Sequence, residues 1–112
     1  MTPSAWREHP AAREEYLEAL VWYERQDPGL GERLAEDLDS GVDFIRKWPD
    51  AAPIYRGRRR VPLIRRKGVE VFPYGIVYFV RDGEVIIIAY AHERRRPGYW
   101  RTRLESHRPL DS

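Results

Sequence analysis

Two runs of cations stand out in this chain, Arg65-Arg66-Lys67 and Arg94-Arg95-Arg96, with His92 just ahead of the second and Tyr99 and Arg103 just behind it. A guanidinium is planar, permanently charged and carries a fork of donors that matches phosphate and carboxylate oxygens. Such runs suit an anionic partner. An imidazole titrates near neutrality, which fits His92 for moving a proton. Each feature also has a plain alternative. The first run reads equally as a solvated strand edge, and the second as a solvated loop or a clamp on acidic helices. His92 ends a buried strand, where a structural hydrogen bond serves as well, and Tyr99 beside Trp100 and Pro97 reads as packing.

The charge is unevenly spread. Residues 1–50 hold 6 Lys or Arg and 12 Asp or Glu, a net of −6, while residues 51–112 hold 14 basic and 6 acidic residues, a net of +8. Of the 20 basic residues, only Lys47 and Lys67 are not arginine. A basic half of this kind points to a polyanionic partner, although GC-rich codon usage favours arginine as well. The acids of the first half read as the solvated backs of helices.

Several chemistries are excluded or unsupported. The absence of cysteine removes disulfides, thiolate metal sites and thiol nucleophiles together. Three scattered histidines give no metal-ligand spacing, so no metal and no cofactor is expected. The chain has no Gly-rich phosphate loop and no Ser/His/Asp set. No apolar run reaches the roughly 18 residues a membrane helix needs, and the N-terminus carries no signal peptide. The expectation is a cytoplasmic protein with no membrane partner.

The elements that must position these residues follow from periodicity. Residues 4–8 form a weak first strand. Pro10 opens a helix, where its missing N–H is no loss, and Ala12, Tyr16, Ala19, Leu20 and Tyr23 line its buried face. Trp22 and Tyr23 are both expected in the core. Asp27-Pro28-Gly29 stops that helix. A second helix starts near Leu30 and keeps its apolar stripe through Leu34, Leu38, Val42, Ile45 and Trp48, with acids early and bases late. After a loop over 51–62, strand spacing sets in. Strands are expected over 63–72, 74–81 and 84–92, and Asp82-Gly83 forms a type I′ hairpin turn between the last two. Val85 to Ala91 is apolar on both faces and is placed centrally in the sheet. On the first of these strands, Arg65 and Lys67 share one face and Arg66 takes the other.

The order is β-α-α-β-β-β. It predicts an α+β fold, a two-helix antiparallel hairpin packed on one face of a small, mainly antiparallel sheet, with the other face available for function. One domain over 1–105 is expected, followed by a frayed tail over 106–112.

Three motifs then add up. Trp22-Tyr23-Glu24 is followed by Gly29-Leu30-Gly31; Phe72-Pro73-Tyr74 is followed by Ile76 and Tyr78; and the chain closes on His92-x-x-Arg95-x-Pro97-x-Tyr99-Trp100-x-x-Arg103. In this order, across residues 10–103, they resemble the RelE/ParE superfamily of type II toxin–antitoxin toxins, in its ParE-like, plasmid-stabilisation branch. The resemblance implies a RelE/ParE-like fold, a growth-inhibiting function and a cognate antitoxin that blocks it, with operator DNA met only through that antitoxin. It implies one of two targets. RelE-like members cut mRNA on the ribosome without a metal, and on that reading Arg65, Lys67, Arg95 and Tyr99 are the catalytic candidates. ParE-like members inhibit DNA gyrase by binding, and the sequence leans to this branch. Arg66, His92, Arg94, Arg96 and Arg103 are then candidate binding residues.

Overall fold

The structure, a computed structural model, describes residues 2–57 and 59–107, with only the backbone described for 105–107. Arg58 of the loop over 51–62 and residues 108–112 of the expected tail lie outside the described residues. The observed order is β1 (Trp6–Glu8), α1 (Pro10–Gln26), α2 (Leu30–Lys47), β2 (Arg65–Gly68), β3 (Tyr74–Arg81) and β4 (Glu84–His92). Short 3-10 helices occupy Tyr55–Gly57 and Arg101–His107.

Local chemistry sets the helix boundaries. Pro10 starts α1, and the His9 side chain caps it by accepting from the Ala11 amide at 3.0 Å. The turn after Gln26 is held from within the helix. The Glu24 carboxylate accepts from the amides of Gly29 and Gly31, both at 3.0 Å, tying the start of α2 to the end of α1. The second helix carries Glu32 in its first turn and Arg46 and Lys47 in its last, matching the dipole at both ends.

The sheet order is β1-β4-β3-β2, with β1 parallel to β4 and the other pairs antiparallel. β4 is an inner strand, as its two-sided apolar run predicts. Asp82 and Gly83 both take positive φ, 52° and 77°, as a type I′ turn requires. α1 and α2 cover one face. Ala12, Tyr16, Leu34, Leu38, Val42 and Ile45 pack there on Ile76, Tyr78, Val85, Ile87 and Tyr90.

Four expectations need correction. The face away from the helices is not open, because Tyr55, Ile64 and Trp100 close over Val77, Phe79, Ile86, Ile88 and Ala89 as a second core. A bulge helps build it: Val77 pairs with Ala89 and Tyr78 with Ile87, so Ile88 is the extra residue and shares the outer face with Ala89. Trp22 is not core but 57% exposed, since the α1 face that meets the sheet is centred on Tyr16 and Ala19. Trp48 does not extend the buried stripe either. It caps the end of α2 with its ring in solvent.

The last correction concerns the acids, several of which are structural. Asp37 is buried and accepts from the amides of Glu70, Val71 and Phe72 at 3.0, 2.9 and 2.8 Å, pinning the β2–β3 connection to α2. Glu8 pairs with Arg13 and accepts from the Tyr90 hydroxyl. A buried carboxylate is retained only with such partners.

Candidate functional site

Three neighbouring residues across the sheet lack a side chain beyond Cβ. Gly68 pairs with Gly75, and Gly75 with Ala91, so one row on the face away from the helices is nearly bare. The second core stops at this row. The gap is a cleft of about 450 Å³ at the end of the sheet where β3 begins and β4 finishes.

Arginines surround it. Arg66 pairs with Val77 and projects onto the cleft face, where its guanidinium lies across Gly75. A Cβ built on Gly75 would sit 2.1 Å from the Arg66 Cζ. Arg95 and Arg96 come from the turn after β4, and Arg56 from the segment before β2, where its backbone is in the left-handed region with φ 51°. Among the described residues Glu93 is the one acid in the lining, and His92 also lines the cleft.

The turn carrying Arg95 and Arg96 is anchored by aromatics. Trp100 is fully buried and packs edge-on against Tyr55, with ring centroids 5.1 Å apart. Tyr99 lies beneath Arg95, whose guanidinium is 3.9 Å from the ring centroid. The Tyr99 hydroxyl donates to Glu15 of α1 at 2.7 Å. Burial and that bond together push its pKa up, so the phenol stays protonated.

The expected site residues thus separate. Arg66, His92, Arg95 and Arg96 converge on the cleft, together with the Tyr99 ring. Arg65 and Lys67 pair with Tyr78 and Ile76 on the helix-covered face. There Arg65 donates to the Ala52 carbonyl at 2.6 Å, and the Lys67 ammonium sits over the Phe44 ring. Arg94 is exposed and does not line the cleft. Arg103 is a clamp, donating to the Ile88 carbonyl at 3.0 Å and to Glu15 at 2.8 Å. The His92 Nδ1 accepts from the Arg94 amide at 3.0 Å, and its ring stands edge-on to Tyr74.

Arg56 went unnoticed in the sequence. Its placement depends on the segment before β2 folding back along that strand, through the Ile54–Arg65 bridge and the Arg66 amide on the Pro53 carbonyl. No local pattern signals that return. Among the described residues, four guanidiniums against one carboxylate give the cleft a charge that suits an anionic group, phosphate or carboxylate. Among the described residues no group of three His, Asp or Glu is placed to hold a metal ion, and no helix is long and apolar enough to cross a membrane.

No protein-family model matches the sequence. No curated protein matches it by sequence either. Among solved structures, the chain is similar to a chain of the chromosomal ParDE TA system from P. aeruginosa, with a TM-score of 0.67 at 14% identity, over 80% of this chain and 95% of that one. At that identity the likeness is one of fold. The fold is RelE/ParE-like, two helices on a four-stranded mixed sheet.

Proposed function

We propose that this chain is the toxin component of a type II toxin–antitoxin module, a cytoplasmic growth inhibitor neutralised by a cognate antitoxin. We further propose that it acts as ParE-like toxins do, by binding DNA gyrase. The pairing with an antitoxin is supported by the fold likeness to a ParDE system. Operator DNA is then met only through the antitoxin.

One observation carries the choice of target. In-line attack of a 2′-hydroxyl on a phosphate requires cations around the developing charge and a titratable group beside the attacking oxygen. Arg65, Lys67, Arg95 and Tyr99 do not share a surface. The first two face the helices, and the Tyr99 phenol is engaged by Glu15. What remains on one surface is a set of cations suited to gripping an anionic feature of a partner.

A second reading keeps a specific observation in its favour. Arg56, Arg66, Arg95 and Arg96 around one cleft also fit RNA phosphates, with the His92 imidazole in the same lining, which suits a RelE-like ribosome-dependent nuclease. Induction in a host lacking the antitoxin distinguishes the two. The proposal expects DNA synthesis to fall first with messages intact. Prompt loss of translation with cleaved messages would establish the nuclease instead.

A further inference from the structure

The solvent face of α1 is apolar where an exposed helix is ordinarily polar. Leu17, Val21 and Trp22 are 50%, 51% and 57% exposed, and with Glu18 and Arg25 they line one shallow surface groove. At 100° per residue these five positions fall within an arc of about 140°, a single contact face. Among the described residues Glu18 and Arg25 join no ion pair.

The order of residues along this face is self-complementary. Glu18 and Arg25 stand at equal distances on either side of the midpoint between Val21 and Trp22. Two copies of α1 packed antiparallel about a two-fold axis through that midpoint set Glu18 against Arg25 of the partner subunit, and Arg25 against Glu18 of the partner subunit. The same axis brings Val21 against Val21 of the partner subunit on one flank, and Trp22 against Trp22 of the partner subunit on the other. Such an isologous contact needs one patch that complements itself, and this sequence supplies it.

We propose that the exposed face of α1 is a homodimer interface, two copies pairing antiparallel around Val21 and Trp22 with a reciprocal Glu18–Arg25 ion pair on each side of the axis. The interface lies on the helix layer, away from the arginine cleft, so each subunit keeps its cleft open. One helix pair covers less than the roughly 800 Å² per partner of a standard interface. The association is therefore weak and concentration-dependent. It does not rest on which target the cleft serves.

Sedimentation velocity of the purified chain across the micromolar range tests this, with circular dichroism to verify folding of each variant. The wild type shifts from monomer to dimer with concentration. Arg25→Glu and Glu18→Arg each place two like-charged pairs in the contact and weaken association roughly tenfold. The double variant E18R/R25E restores it. Because the chain has no cysteine, Val21→Cys provides a single thiol per subunit, and mild oxidation cross-links it, whereas Glu36→Cys on the exposed side of α2 stays monomeric. A wild type that is monomeric throughout overturns the proposal and leaves this face to a different protein. So does a double charge reversal that fails to restore the dimer.

Discussion

The guanidinium of Arg103 donates to the carboxylate of Glu15 at 2.8 Å, joining residues 88 positions apart. The same carboxylate accepts from the Tyr99 hydroxyl at 2.7 Å and the Tyr90 amide at 3.0 Å. One side chain of α1 therefore holds the inner strand β4 and the segment that closes the second core. Both members of the ion pair are well buried, with side chains 16% and 13% exposed. Through Trp100 and the Tyr99 ring, this junction also sets where Arg95 stands over the cleft.

Removing one partner of such a pair leaves the other with little solvent to replace it. Glu15→Ala is expected to lower stability by about 3 kcal/mol, since it leaves Arg103 Nη2, the Tyr99 hydroxyl and the Tyr90 amide without their acceptor. Arg103→Ala, which leaves Glu15 two donors, costs less. Urea unfolding of the two variants measures the difference, and equal effects would contradict the assigned hierarchy.

Asp37 gathers three backbone amides, and hydrogen bonds to a charged acceptor contribute about 1.5–3 kcal/mol each at most. Asp37→Ala is expected to destabilise the fold by about 3 kcal/mol. It should also abolish hydrogen-exchange protection at the amides of Glu70, Val71 and Phe72. Persistent protection there would mean that the connection holds itself.

Helix boundaries and the hairpin turn were legible because their causes are local: Pro10, Asp27-Pro28-Gly29 and Asp82-Gly83 act within a few residues of themselves. The strand alternation separated Arg66 from Arg65 and Lys67 for the same reason. What escaped depends on distance. Asp37 looked like any exposed helix acid until the amides 33 to 35 positions on came to meet it. The extra residue at Ile88 shifts which side chains face outward, and a two-residue period carries no sign of it. Trp22 has the composition of a core residue, yet it sits on the helix face that the sheet never reaches.

Titration of His9 gives a signature of the α1 cap. Its pKa is lowered from 6.5, first by burial and then by the charge of Arg103. The folded chain thus takes up this proton less readily than the unfolded chain. In the interval just below 6.5, the unfolded state binds more protons and stability rises with pH. Acidification from neutrality towards about pH 5 should therefore lower the melting temperature, and His9→Asn, which caps without titrating, should flatten that slope. An unchanged slope would remove His9 as its source.

Gly75→Ala probes the cleft without touching an arginine. The new methyl collides with the Arg66 guanidinium, the far end of a flexible side chain, which must swing aside. Stability should change by less than about 1 kcal/mol, as for most substitutions that leave the core intact. Growth inhibition should nonetheless weaken. Full toxicity in the folded variant would show that Arg66 need not lie where it does.

If the arginines of the cleft, and not Arg65 and Lys67, form the working surface of a growth inhibitor, removing the two sets of cations has opposite consequences for growth arrest. The most direct measurement compares growth arrest on induction of two folded variants, Arg66→Ala/Arg95→Ala/Arg96→Ala and Arg65→Ala/Lys67→Ala. The first variant is expected to lose arrest and the second to keep it. Arrest lost in the second and kept in the first would place the working surface on the strand face of Arg65 and Lys67 instead.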